Sequence, residues 1–549
     1  MGYIAPSVWQ MNEYGAGLRG FVEQGRHLWG WIDFGSYQIF DEATVYTALM
    51  FFSKQPNTHV AVVKAPNGVV AESPWEAQDI HLPYARLSFG DRWLLVTGKE
   101  RDLIDKLGKT GRRLDDPAVS RNIFVGIQTS ADHIYHLKRL GPNRYEEKPP
   151  KGEKRGRVVE IEDEIMKPLV SGVDAKRYQT PETNTFLLFP YSVSEGRASL
   201  IPAARMATEF PDAWAYLQGH EETLRAREGG KFNNDDWYQF GRSQNIGKQN
   251  VEKIIVPRLV MSIACAVDPH GQYYLDNVDV GGVGAARNVS PWFLAAVMNA
   301  QAADFAFRRI SKPFRGDFRS ANKQFIAPLP IPKAPPEDQA ALAQDAERLQ
   351  VLHDQRRQAL ADIAGRMGAV RIRPRPVEWL FPGLSDLDEL KDQAPKRLIG
   401  TDRRAWAKER LAKEIEACHA TLCEHLRPGV PLAAELVRGE LRFLIDGIPA
   451  ITGIFPPPAE APFLLAQWSV MASRTEVTDK TTGAKLADML RKVSPSAEAH
   501  IMAEVIRLQT SIAADEAEIA TLEGRINQTI YRLHKLTREE IALIESAAR

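Results

Sequence analysis

Cysteine is scarce: Cys265, Cys418 and Cys423 are the only three in 549 residues. That excludes a disulfide framework and fits a reducing cytoplasm, the expected location. Long hydrophobic runs are missing too. The longest, residues 45–52 and 259–267, are about half of what a spanning helix needs, so no membrane segment is expected. The amino terminus lacks a basic region followed by an apolar stretch and a small-residue cleavage site, and nothing there reads as secretory. Neither sign of charge is in excess, since Lys plus Arg and Asp plus Glu number 70 each. Enzyme signatures are sparse as well: there is no Gly-x-Ser-x-Gly elbow, no P-loop, no His-Glu-x-x-His and no convincing nuclease constellation. Cys418, His419, Cys423 and His425 lie close in sequence, but on one helix they divide between two faces, so packing is expected and no metal.

What is present describes a globular chain of two to four domains, with 44% hydrophobic and 26% charged residues. The neutral average conceals two basic clusters. Between 138 and 157, eight cations face Glu146, Glu147 and Glu153, and between 308 and 323 Arg308, Arg309, Lys312, Arg315, Arg319 and Lys323 face Asp317 alone. They flank residues 234–257, where Trp237, Tyr238 and Phe240 stand beside Arg242, Gln244, Asn245, Lys248 and Lys253. Aromatics, cations and carboxamides are the groups that stack on bases, hold phosphates and read base edges. The same composition also describes a polar loop leading into a core strand.

Along the chain, residues 1–66 alternate strand and helix: strands over 2–5, 28–34, 44–52 and 59–64, and a helix over 9–24. The first strand opens the sequence, and an α/β sheet needs several covered strands; this piece reads as the end of a domain begun elsewhere. Residues 120–335 carry short β-rich runs at 123–128, 157–161, 185–189, 253–261 and 272–274. Two helices interrupt them, one over 211–228 and one opened by Ser290-Pro291, a good cap and first residue. The run Gly281-Gly-Val-Gly284 opens no helix and reads as a loop. The Pro-rich residues 328–336 read as a linker. Beyond it, apolar residues recur every three or four positions over 342–367 and 501–530, which predicts two helices pairing antiparallel as a coiled coil. Between them, helices are expected near 384–426 and β structure near 443–470.

Several segments carry a family likeness. Gly2-Tyr-Ile-Ala-Pro6, Tyr14-Gly-Ala-Gly-Leu-Arg19, Ile32-Asp-Phe-Gly35, Ile39-Phe-Asp-Glu-Ala-Thr-Val-Tyr-Thr47 and Phe51-Phe-Ser-Lys54 resemble the late catalytic-domain motifs of N6-adenine DNA methyltransferases. The kinship is with the TaqI-like enzymes and the fused type IIG restriction-modification enzymes. Gly126-Ile-Gln-Thr-Ser-Ala-Asp132, Lys167-Pro-Leu-Val-Ser-Gly-Val-Asp174 with Arg177-Tyr178, Trp237 to Arg242, Lys253-Ile-Ile-Val-Pro257, Val297-Met-Asn299 and Phe325-Ile-Ala-Pro-Leu-Pro-Ile-Pro332 resemble the specificity domain that follows. Tyr531-Arg-Leu-His-Lys-Leu-Thr-Arg-Glu-Glu540 is similar to the tail of type IIG proteins. It is the order of these motifs that is specific.

The resemblance implies an α/β partial methyltransferase sheet over 1–119, an α+β target-recognition domain over 120–335, and a mostly α-helical, coiled-coil region with a small insert over 336–549. It implies double-stranded DNA as partner and S-adenosyl-L-methionine as methyl donor. The glycine-rich donor turn and the Asn-Pro-Pro-Tyr motif, which the family places earlier, do not occur in the sequence. The donor site is therefore expected to be absent, and a partner chain to supply it. Phe52 corresponds to the aromatic that stacks on the extruded adenine; a core phenylalanine is the alternative. Arg242, Lys248, Lys253, Arg315, Arg319 and Lys323 are the candidates for phosphates, and Gln244 and Asn245 for base edges. A non-enzymatic DNA-binding specificity subunit docking through its coiled coil is the second reading, and a remnant without function the third.

Overall fold

The computed structural model describes residues 1–40, 45–89, 92–311, 313–314 and 318–548. The chain mixes α and β structure in several sheets and many helices and divides into two compact units, Met1–Val351 with Leu522–Arg549, and Leu352–Thr521.

The first sheet of the larger unit is built from β1 (Gly2–Pro6), β2 (Leu28–Asp33), β3 (Thr47–Phe52), β4 (His59–Lys64) and β5 (His81–Pro83). Its order is β1-β3-β2-β4-β5. β3 runs antiparallel to both β1 and β2, whereas β4 runs parallel to β2. β2 and β4 are apolar on both faces, with Leu28, Trp31, Val60 and Val62 in one core and Ile32 and Val63 in another, as strands covered on both sides require. Met1 and Phe52 exchange both backbone hydrogen bonds, at 2.9 and 2.8 Å. Antiparallel alternation therefore points the backbone groups of Tyr3 and Ala5 at β3 and those of Gly2 and Ile4 at the open edge.

The helix α1 occupies only Ala16–Gly25, shorter than the 9–24 expected. Ser7–Gln10 and Glu13–Gly15 form 3-10 turns instead. A Cβ on Gly15 would lie 1.9 Å from the Trp9 carbonyl oxygen, so the chain folds back on itself here. The buried Arg19 guanidinium donates to the Trp9 and Asn12 carbonyls at 2.5 and 2.8 Å, closing the turn. The expected strand over 44–52 begins at Thr47; residues 41–44 lie outside the described residues.

Two further sheets follow. One has six strands in the order Val158–Glu160, Arg144–Glu146, His136–Gly141, Thr185–Leu188, Met166–Val170 and Tyr274–Leu275. The other has four, Ala266–Asp268, Lys253–Pro257, Val280–Ala285 and Ser120–Val125. The glycine run 281–284 is thus an interior strand and not the expected loop. A Cβ on Gly282 would meet the Phe124 ring at 2.4 Å, so glycine is required by that ring and not by a turn. The helix after Ser290 is as expected, with the Ser290 hydroxyl accepting from Trp292 N–H at 3.2 Å. The expected linker is also corrected: Pro330–Pro332 is a buried strand paired with Gly111–Arg113.

The returning segment is knitted into this unit. Tyr531 donates to Gln301 Oε1 at 2.6 Å, Gln301 N–H to Asn527 Oδ1 at 3.0 Å, and Lys106 pairs with Glu540 at 2.6 Å. The first turns of the helix Pro336–Met367 run antiparallel to the last turns of Ala499–Leu533, through Asp338–Arg532 and Asp345–Arg525 pairs.

In the smaller unit the same two helices pair through Arg356–Glu516 and Arg366–Glu504. Leu432–Val437, Glu440–Ile445 and Ile448–Ile454 form an antiparallel sheet. Its hairpins turn at Arg438-Gly439 and Asp446-Gly447, all at positive φ, which suits two-residue connections. The expected β structure near 443–470 stops at Ile454, and Ala461–Arg474 is a helix. Pro456, Pro457 and Pro458 end the strand. Leu464 and Trp468 then pack with Leu441 and Phe443, and Phe463 packs with Ile363, Val505 and Ile512 of the two long helices. Among the described residues no helix is long and apolar enough to cross a membrane.

Candidate nucleic-acid interface

Residues 234–257 split by burial. Trp237, Tyr238 and Phe240 are no more than 4% exposed and belong to the core beneath the six-stranded sheet. Trp237 and Tyr238 pack on Trp214 at 5.6 and 5.2 Å between centroids, and Phe240 on Tyr135 and Tyr191 at 5.1 and 4.9 Å. None of the three is placed to stack on a base.

What this core does is hold two chain segments together. The buried Arg227 guanidinium donates to the carbonyls of Thr129, Trp237 and Gln239 at 2.7–2.8 Å. Tyr135 donates to the Tyr238 carbonyl at 2.6 Å, and Gly241 N–H to that of Thr129 at 2.9 Å. A Cβ on Gly241 would lie 1.9 Å from Ser130 Oγ, which is why a glycine sits there. Segments 126–132 and 237–242 therefore form one rigid frame. A buried cation that donates to three backbone carbonyls at once fixes it, since each buried carbonyl needs a donor.

The exposed rim follows directly. Arg242, with 42% of its side chain exposed, pairs with Glu228 at 2.6 Å; Glu228 stands at positive φ and also accepts from Ser130 Oγ at 3.1 Å. Gln244 is exposed. Asn245, also at positive φ, accepts from Lys248 Nζ at 2.9 Å through its side-chain oxygen, and that ammonium lies 6.0 Å from the centre of the Phe124 ring. The structure thus brings Arg242, Gln244, Asn245 and Lys248 onto one short surface loop.

Lys253 is a correction. It is 0% exposed, and its ammonium is bonded to Asp268 at 2.6 Å and to the Gln249 carbonyl at 2.6 Å. Asp268 also accepts from Gln272 and Tyr273 N–H at 3.0 Å. Burial lowers the Lys253 pKa from its usual value, with Asp268 opposing. This ion pair ties two strands together, and a group so enclosed cannot neutralise an external phosphate.

Of the remaining candidates, Lys323 is exposed at the start of the short helix Lys323–Ile326. Arg319 donates to the Arg308 and Ser311 carbonyls at 2.6 Å each, fixing the end of the helix Gln301–Ile310. Arg315 lies outside the described residues. The basic clusters are partly neutralised from within: Arg139 by Asp163, Arg157 by Glu147 and Arg308 by Asp304, at 2.5–2.8 Å. Phe52 ends β3, half-buried, edge-on to Tyr3 at 6.0 Å, and lines an apolar surface cavity with Leu18 and Phe21. Phe51 faces the other side, against Trp29 and Trp75. Arg227 and Glu228 had no signal in the sequence, since the segment that they clamp, through Thr129 and Ser130, lies 98 residues back.

No protein-family profile matches the chain. Curated relatives do. The chain is 25% identical over 351 residues to the Type II restriction enzyme and methyltransferase RM.Eco57I of Escherichia coli, covering 60% of this chain and 34% of that protein. It is 22% identical over 383 residues to the Type II methyltransferase M.BstVI of Geobacillus stearothermophilus, covering 64% of this chain and 61% of the relative. A third, M.BanIII of Aneurinibacillus aneurinilyticus, is 27% identical over 173 residues, 31% of this chain and 27% of that one. The chain thus spans about a third and three-fifths of the lengths of the first two. Among solved structures, the Type IIL restriction-modification enzyme MmeI in complex with DNA aligns at TM-score 0.39 and 9% identity, covering 76% of this chain and 46% of that one. A DrdV–DNA complex aligns at 0.34 and 11%, covering 95% and 50%. Scores this low carry no argument.

Proposed function

We propose that this chain is the DNA-recognition and partial catalytic portion of a site-specific DNA methyltransferase of a restriction-modification or phage-defence system. The observation that carries this is the likeness, over three-fifths of the chain, to curated Type II methyltransferases. The motif order refines it to a type IIG-like, TaqI-like enzyme acting on adenine N6 in the cytoplasm. Residues 1–119 are then the end of the catalytic domain, 120–335 the target-recognition domain and 336–549 a helical, coiled-coil support. The rim loop of Arg242, Gln244, Asn245 and Lys248, with Arg319 and Lys323, meets DNA, and Phe52 stacks on the extruded base. Arg315 stays in the set on sequence alone.

S-adenosylmethionine, when bound to such an enzyme, supplies the methyl group. The most glycine-rich run, 281–284, does not fit it as a cradle: it is an interior strand, and Phe124 occupies the space beside Gly282. On this reading a partner chain brings the donor site. β1 suits such a partner, with Gly2 and Ile4 directed at the sheet edge and Tyr3, Tyr14, Leu18 and Phe21 exposed beside it. The test is to titrate the purified chain with duplex DNA and, separately, with S-adenosylmethionine in a calorimeter. DNA binding without donor uptake is expected. Failure to bind DNA overturns the reading, and donor uptake overturns the assignment of that site to a partner.

A further inference from the structure

The ends of β2 and β4 and the last turn of the helix Gln301–Ile310 enclose a cavity of about 270 Å³. Its lining includes Lys64, Arg308, Arg309 and Arg319, together with Asp33 and Ser311. β2 and β4 are parallel, and Asp33 and Lys64 are their carboxyl-terminal residues. Such strand ends open into crevices that take ligands in α/β sheets.

The cations are held in place before any ligand arrives. Glu100 accepts from Lys64 at 3.2 Å and from Arg309 at 2.5 Å; though burial opposes it, the two cations hold its carboxyl below the usual range. Asp304 accepts from Arg308 at 2.8 Å, and Ser262 from the same guanidinium at 2.7 Å. Asp33 is committed in part to the Gly35 N–H at 3.0 Å. Arg309 is the most constrained. Its guanidinium lies 3.7 Å from the centre of the Phe305 ring, and its Nε–H is buried with no acceptor among the described residues. A buried, unmet N–H is costly, and an anion in the cavity beside the guanidinium would offset that cost through its charge. Among the described residues four cations converge here against the three carboxylates Asp33, Glu100 and Asp304.

We infer that this cavity seats a phosphodiester of the DNA backbone, with Arg309, Arg308 and the more exposed Lys64, each held by a carboxylate, as its donors. A tetrahedral anion suits the site because guanidinium forks and an ammonium deliver N–H donors from several directions at once. The inference rests on the DNA-binding reading and extends it to a part of the molecule away from the rim loop.

The test is fluorescence anisotropy of a labelled mixed-sequence duplex with the full chain, repeated across a salt series. Lys64→Ala/Arg308→Ala should lower the salt slope by about two units and weaken binding on the order of tenfold at a fixed salt concentration. Lys64→Arg/Arg308→Lys should keep the slope. Lys64→Met/Arg308→Met, which retains the apolar stems, should reproduce the alanine result if folding of the alanine variant is impaired. A wild-type chain that does not bind the duplex removes the DNA reading itself. Wild-type binding with the slope unchanged in folded neutral variants overturns the cavity assignment alone. Inorganic pyrophosphate provides a second arm: it should compete with the duplex for wild type more effectively than for the neutral variants, and equal competition counts against the site.

Discussion

Residues 237–240 and 242–248 are adjacent, are equally rich in groups that nucleic-acid-binding proteins use, and are put to opposite ends. The first segment is core: its aromatics are sealed under Trp214, Tyr135 and Tyr191, and its carbonyls are tied to Arg227. The second is rim, with Arg242 held by Glu228 and the Gly241 carbonyl and Lys248 by Asn245. The difference teaches that the buried half makes the exposed half useful. A loop whose root is clamped loses little entropy when it meets a ligand, so its polar groups act from a fixed position.

Truncating the frame is the largest perturbation. Trp237→Ala removes a side chain that is 4% exposed and in contact with Trp214 and Tyr238, and should cost roughly 3–5 kcal/mol. Chemical denaturation measures it. A loss under about 1 kcal/mol would mean that residues 237–240 are not the frame, and the contrast with the rim would fall.

Lys253 tests the same contrast with a charge. Lys253→Ala leaves Asp268 buried and unpaired and should cost about 3 kcal/mol. Lys253→Met combined with Asp268→Leu removes both charges and should recover much of that loss. If Lys253→Ala instead melted like wild type while lowering the DNA salt slope, the lysine would belong to the rim.

His534 extends the comparison to a titrating group. It is 1% exposed, with Nδ1 2.7 Å from Thr110 Oγ1, and burial pushes its pKa down to about 4. Acidification protonates the unfolded chain first, near 6.5, so the unfolded state holds more protons between 6.5 and 4. Stability from this group is complete above 6.5 and is lost as pH falls, about 2 kcal/mol by pH 5. Denaturant midpoints at pH 7 and 5 measure the slope, and His534→Gln should flatten it. An equal slope in that variant would place the acid sensitivity elsewhere.

How much of this is legible in the chain depends on where the deciding partner lies. β1 to β4 and the capped helix at Ser290 follow from local patterns, and the structure has them within a few residues. Gly281-Gly-Val-Gly284 reads locally as a loop, because what makes it a strand is the ring of Phe124, which sits opposite Gly282 in the paired strand. Lys253 reads as a surface cation because Asp268 is fifteen residues on, across a hairpin. Residues 328–336 read as a linker because the strand Gly111–Arg113 that pairs with Pro330–Pro332 is more than two hundred positions away. The cavity at the ends of β2 and β4 was only half visible: Arg308 and Arg309 stand in a basic cluster, whereas Lys64 has no basic neighbour in sequence and joins them only through Glu100. For the candidate site the residue types were readable, but which of them are exposed was not.

The smallest structural effect, and the one most particular to the rim, is expected from Arg242 and Lys248. Turning outward, Arg242 gives up Glu228 and the Gly241 carbonyl, and Lys248 the side-chain oxygen of Asn245. Neither is enclosed, so Arg242→Ala and Lys248→Ala should shift the melting temperature by no more than about 2 °C. Each lost phosphate contact should nevertheless lower the salt slope of DNA binding by about one unit, and the pair by about two. Gln244→Ala should leave that slope unchanged, since a neutral amide releases no counterion, and should alter binding to one sequence more than to others. The two readouts separate the segments cleanly: a frame residue moves melting and drags binding with it, whereas a rim cation moves the slope alone. Were the double variant to melt far below wild type, the loop would be part of the clamp and its cations structural; were the slope unmoved at constant melting, DNA would have to meet this chain on another face.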